Sequence, residues 1–221
     1  RKSLQRSIKP NKNIIMDLTK EMNVTKPFGP TIGEIQVIPQ FVNDLNDYSN
    51  AVIKDKEKAK NLDAGNTLVG AVTQEISLEK EFFNSKISPY LSNVISAYMY
   101  KSRPDLKLKS VDDMKKKLII NYRSAWVVRQ FENEYNPLHF HTGNISGVCY
   151  TMLPKDFGKP PQNKEGTNFN GQIQLAHGAN IFNCRALELI KPEVGKFILF
   201  PNYMLHTVYP FYGPGERRSF S

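Results

Sequence analysis

The sequence has no apolar run of about 18 residues, the length a helix needs to cross a bilayer, so no membrane span is expected. It carries no internal repeat and no low-complexity tract, which argues against solenoids and arrays. Cysteine is scarce. Cys149 and Cys184 match neither zinc-ribbon nor redox-pair spacing, and both lie in apolar, strand-like runs. They read as two reduced core thiols of a cytoplasmic protein. No charged-then-apolar leader opens the sequence, and its first residue is Arg1 rather than Met, so its true start is expected upstream. Acidic residues are outnumbered, 21 against 30 basic ones, which leaves a formal net charge of +9.

The basic excess gathers in an opening stretch (Arg1, Lys2, Arg6, Lys9, Lys12) and between Lys101 and Lys117. These read as a loose arm and a solvated helix face. No nucleic-acid motif accompanies them, although an acidic partner or nucleic acid stays open.

With 221 residues, 40% of them hydrophobic, the chain can bury one sizeable core. Residues 1–28 read as a polar arm with a weakly apolar middle, Ile14 to Leu18, and residues 29–221 as a single domain. Ile35 and Val37 alternate with polar neighbours, which predicts a short strand before Pro39. Phe41, Leu45, Tyr48 and Val52 recur at helical spacing and make one apolar face. The charged stretch 54–66 ends in loop-forming residues, and Thr67 to Leu78 reads as a strand. Ser88 and Pro89 look like an N-cap and first helical position. Ser110 with Asp113 looks like a second helix start.

Beyond residue 118 the periodicity changes. Leu118 to Phe131, Ile145 to Leu153, Gly171 to Leu175, Lys196 to Phe200 and His206 to Tyr209 read as strands separated by turn clusters. Helices followed by many short strands predict a mainly β fold, an antiparallel barrel or jelly roll over 118–221 with flanking N-terminal α-helices.

The histidines carry the chemistry. In PLHFHTGN, His139 and His141 stand two apart, and in an extended segment such residues share a face. Two imidazoles converging on one point suit iron, zinc or copper. His206 follows a buried strand and the turn at Pro201 and Asn202, facing the pair across a barrel. Arg217 lies eleven residues further on, with Ser219 on the same strand face. A guanidinium there can make a bidentate pair with a carboxylate, and the hydroxyl can add a donor. Tyr150 and Ser146 share a strand face and are candidates for the pocket wall; Trp126 and Gln130 share a face of the preceding strand, where Trp126 reads as a core anchor, with a substrate platform as the alternative. His177 reads as a loop residue, and Asn144 as a partner for the turn or the site.

The run HxH followed by N-x-SGV-x-Y, then FPN-x-x-xH-x-V-x-P, then GERRS resembles a phage and bacterial group of 2-oxoglutarate- and iron(II)-dependent oxygenases, common in marine bacteria and T4-like cyanophages. The resemblance covers residues 118–221 well and LVGAVTQEISL more loosely. It implies a cupin-like double-stranded β-helix, Fe(II) and 2-oxoglutarate as cofactors, and O₂ and an unidentified substrate as partners. It implies further that His206 is the distal metal ligand and that Arg217 with Ser219 anchors the co-substrate, with Tyr150 beside them. No catalytic residue beyond the ligands is implied.

The family's usual carboxylate ligand is missing, since His141 stands two after His139 and Gly143 two after His141. Either His139, His141 and His206 form a three-histidine site, the favoured arrangement, or His141 and His206 bind iron with water in the vacant place. Three functions stay in view: a dioxygenase acting as a hydroxylase, a non-catalytic metal-binding jelly roll or virion structural protein, and a three-histidine cupin-type dioxygenase without 2-oxoglutarate. Neither substrate nor oligomeric state is legible.

Overall fold

The structure is a computed structural model that describes residues 18–25, 29–162 and 168–221. The apolar middle expected in the N-terminal arm falls almost wholly outside them. Within them the chain forms α1 (Leu18–Glu21), β1 (Asn23–Thr25), β2 (Ile32–Gln36), α2 (Pro39–Lys54) and α3 (Lys56–Asn61). β3 (Gln74–Ser77), α4 (Lys80–Phe82), a π-helical turn (Phe83–Ile87), α5 (Ser88–Ser102) and α6 (Val111–Lys117) follow. The strand-rich part holds β4 (Trp126–Gln130), β5 (Asn136–His139), β6 (Ile145–Met152), β7 (Ile173–Ala176), β8 (Leu187–Ile190), β9 (Lys196–Pro201), β10 (Leu205–Val208) and β11 (Arg217–Phe220).

The strands make two antiparallel sheets. The larger runs β1-β2-β9-β6-β11-β4-β3 and the smaller β5-β10-β7-β8. This is the antiparallel jelly roll with outer helices that the change in periodicity predicts, and it accords with the double-stranded β-helix that the resemblance implies. The end of the expected arm is part of it: β1 pairs with β2, and Met22 is buried.

Period-2 alternation splits the larger sheet into two faces. Cys149, Phe197, Leu199 and Phe220 pack outward against Phe41 and Leu45 of α2 and Leu91, Val94 and Ala97 of α5. Val148, Tyr150, Ile198 and Phe200 face inward, toward Ile173, Leu175 and Val208 of the smaller sheet. Each fully buried aliphatic side chain contributes about 1.5–3 kcal/mol. The outer face is closed by apolar packing, and the polar site sits on the inner one.

Several local expectations change. The helix over Ser88 starts earlier: Ser88 makes no cap, and its hydroxyl donates to Asn84 O. The π-turn that ends at Ile87, two residues before Pro89, lets the helix pass a residue without an N–H. Ser110 does cap α6, its hydroxyl accepting from Asp113 N. The charged stretch 54–66 contains α3, capped by Asp55 accepting from Lys58 N. Of the expected 67–78 strand, Gln74–Ser77 forms a strand and Ala71 an isolated bridge to Tyr135, and only Trp126–Gln130 of 118–131 forms a strand. Cys149 is buried as expected, but Cys184 is exposed in a tight turn rather than in a core.

Candidate metal and co-substrate site

His139 ends β5 and lies directly opposite His206 on β10. Their rings stand 4.1 Å apart between centroids, and His141 lies 4.9 Å from His139 and 5.0 Å from His206. One ligand-type nitrogen from each of the three lies within 4.8 Å of the others. His141 falls just past the strand and is held by a clamp from the FPN turn. Its N–H donates to Asn202 O at 3.0 Å, and Asn202 Nδ2 donates to His141 O at 2.8 Å. Asn202 N also donates to Asn144 O, so Asn144 serves the site through its backbone.

Backbone carbonyls fix two of the rings. His139 Nδ1 meets Pro137 O at 2.6 Å and His206 Nδ1 meets Met204 O at 2.9 Å. With Nδ1–H donating, each Nε2 keeps its lone pair for a metal. Burial, reinforced by the neighbouring imidazoles, pushes His206 down to about 3 and His141 down to about 4. Burial also lowers His139, against its bond to Pro137. All three rings are therefore neutral at pH 7, the form that ligates.

A single cavity of about 1450 Å³ connects this cluster to Arg217 and Ser219 on β11. Arg217 is 1% exposed. Its Nε donates to Gly171 O and its Nη1 to Gln130 Oε1, each at 3.1 Å. Gln130 cannot turn away, because its Nε2 donates to Glu134 O at 2.6 Å and Tyr209 O at 3.3 Å. The guanidinium sits over the Tyr150 ring, 4.9 Å from its centroid. Arg217 Nη2 and Tyr150 Oη are both buried and without a partner. Two orphaned donors side by side fit one carboxylate.

Most of the residues expected from sequence meet here. Ser146 and Trp126 line the cavity, and the Trp126 ring stands 5.9 Å from His141. Tyr150 does not line it but backs Arg217. His177 is exposed, near Tyr203, and is not part of the wall. The cavity runs under residues 118–125. Gln130, named from sequence only for its strand face, clamps Arg217, whereas Glu75 and Asn136 in the wall were not singled out.

Residues 124–221 match the model of the family described as "Putative 2OG-Fe(II) oxygenase". All three histidines of the cluster fall within the matched residues, and the cluster fits the iron that the family's description names. Among solved structures, a Pseudomonas putida prolyl-4-hydroxylase is similar at 12% identity and TM-score 0.53, covering 86% of this chain and 89% of that one. The non-heme alpha ketoglutarate dependent carbocyclase SnoK from nogalamycin biosynthesis is similar at 7% identity and TM-score 0.53, covering 94% and 82%. At such identities these likenesses establish the fold. No curated protein matches the sequence. Among the described residues no helix is long and apolar enough to cross a membrane.

Proposed function

We propose that the chain hydroxylates a C–H bond of its substrate, with His139, His141 and His206 holding iron(II) and Arg217, Ser219 and Tyr150 holding the far carboxylate of 2-oxoglutarate. The observation that carries this reading is the pairing of two half-built sites in one cavity. Three neutral imidazoles converge at one end, and an orphaned guanidinium nitrogen stands at the other, backed by the orphaned phenol of Tyr150. Bound iron(II) supplies the activation of O₂, with 2-oxoglutarate leaving as succinate and CO₂.

The chain's own residues do the rest. The carbonyls of Pro137 and Met204 aim two imidazoles, and the Asn202 clamp aims the third. Gln130 and Gly171 hold the Arg217 fork so that its free N–H points at the co-substrate. Phe200 and Val148 keep the wall between them apolar, which strengthens a charge pair at Arg217. His139 stands too close to its partners to be a bystander, which favours three histidine ligands over two histidines and a water. A cupin-type reaction without 2-oxoglutarate leaves the orphaned donors with no role. Succinate release, measured with and without iron(II) and 2-oxoglutarate, tests the reading. Release requiring both supports it. Metal binding with no release in any condition supports a non-catalytic module instead.

A further inference from the structure

The cavity wall holds a third polar corner that neither iron nor 2-oxoglutarate uses. Glu75 on β3 is 3% exposed. In register, Glu75 lies beside Val128, Val128 beside Ser219, and Ser219 beside Tyr150. Glu75 therefore shares the inward face of the sheet with Ser219 and borders the same cavity. Among the described residues no hydrogen bond or cation reaches its carboxyl. Burial holds that carboxyl up at about 7, with Asp63 adding to the shift, as expected for a carboxylate lacking a counter-charge.

Asn136 completes the corner from the opposite sheet. Its Oδ1 is buried and has no partner. A Cβ on Gly70 would meet Asn136 Oδ1 at 2.5 Å and Glu75 Oε1 at 3.0 Å, so both oxygens crowd one bare backbone position. A Cβ on Gly65 would similarly stand 3.2 Å from Asp63 Oδ1 and 3.8 Å from Glu75 Oε2. The strand irregularity between β5 and β10 pairs Asn136 with Val208 and His139 with His206. The bulge brings both Asn136 and His139 to the inner face although they are three apart. Their backbones are then separated by about 10 Å at most, from the rise of a strand.

We propose that Glu75 and Asn136 form the substrate subsite and that it takes a positively charged nitrogen, an ammonium or guanidinium group. This deepens the hydroxylase reading and rests on it. Two unpaired acceptors in a cavity wall require donors, and unpaired buried acceptors are costly. Asp63 makes the local potential more negative, so a charged donor is favoured over a neutral one. A hard metal ion would want six or more oxygens, more than this corner offers. The reacting carbon of the substrate would lie between the bound nitrogen and the three histidines.

Trp126 is the sole tryptophan of the chain and lines the cavity, so its fluorescence reports occupancy. The test uses anaerobic protein loaded with iron(II) and 2-oxoglutarate, titrated with Nα-acetyllysinamide, Nα-acetylargininamide and their uncharged counterparts Nα-acetylnorleucinamide and Nα-acetylcitrullinamide. At least one cation is expected to bind about tenfold or more tighter than its isostere, a margin of one lost charge contact. Glu75→Gln should erase that preference while iron and 2-oxoglutarate still bind, and Asn136→Asp should increase it. The free amines and N-acetylated peptides ending in the same residues separate a small-molecule source from a protein side chain. Equal binding of cation and isostere, or no binding of either, overturns the inference and leaves the oxygenase reading standing. Tighter binding of magnesium or calcium than of any amine, lost in Glu75→Gln, also overturns it. Failure of the wild type to bind 2-oxoglutarate overturns both.

Discussion

Arg217 and Arg218 are neighbours on one strand, both buried to within 2% of full occlusion, yet they meet opposite conditions. Arg218 faces α2 and meets a carboxylate and two amides supplied by the chain itself. Its Nε donates to Glu216 at 2.6 Å, and its Nη1 reaches Asn46 at 3.2 Å and Asn50 at 3.0 Å. Glu216 in turn takes both arms of Arg129 at 2.9 Å. Burial pushes the Glu216 carboxyl up, but the two arginines outweigh it and hold it below the usual carboxylate range. Arg217 faces the interior, has a neutral amide and a carbonyl for company, and keeps one N–H unpaired. A buried charge completed by its own fold is architecture, and one left incomplete is a receptor. The inner face is built for groups that the sequence does not encode.

The strongest way to break that contrast is to remove the far end of the receptor. His206→Ala should lower iron affinity by more than the roughly 10- to 100-fold typical of losing an outer-shell partner. Metal content after desalting measures it, and unchanged loading would reject His206 as a ligand. Next come the two arginines exchanged in turn for methionine. Arg217→Met should weaken 2-oxoglutarate binding by about two orders of magnitude, as for one half of a buried pair, with iron loading kept. Arg218→Met should do the reverse, keeping 2-oxoglutarate affinity while urea denaturation shows a loss of about 3 kcal/mol. If Arg218 proves the stronger anchor in calorimetric titration, the two faces have been assigned the wrong way round.

Tyr150→Phe sharpens the contrast further, because it deletes only the orphaned phenol. A loss of about tenfold in 2-oxoglutarate affinity is expected, with folding stability unchanged or slightly improved. The smallest effect is that of acid on the apoprotein. His141 and His206 titrate lower in the fold than in the unfolded chain, so between about 6.5 and their folded values the unfolded state binds more protons. Stability should therefore fall as pH drops from about 6.5 toward 4, and iron(II) should suppress the fall by occupying the imidazoles. Denaturation midpoints with and without metal give the comparison.

Much of this site could be read from the sequence because its signals are short-range. HxH on an extended segment, a histidine after a proline turn and alternate residues of the last strand depend only on local period. Apolar spacing in α2 and the strand alternation of β6 and β9 were legible for the same reason. What escaped depends on partners far along the chain. Thr67 to Leu78 has strand composition throughout, but β4 pairs with only four of its residues, and the rest forms the loop around Glu75. Residues 118–125 have apolar character because they roof the cavity, not because they join a ladder. Cys184 resembles a core thiol by its neighbours, and only the turn at Ile181 exposes it. Asn136 is brought into line with His139 by a bulge that no spacing rule anticipates.

The Asn202–His141 clamp joins residues 61 positions apart. The His206–His139 pairing spans a similar stretch, so nothing in the nascent or unfolded chain assembles the three imidazoles. If these three histidines hold iron as proposed, its capture is gated by closure of the barrel. On that assignment a half-made polypeptide holds no centre able to activate oxygen against itself, and the hazard of the chemistry arrives only together with the walls that contain it.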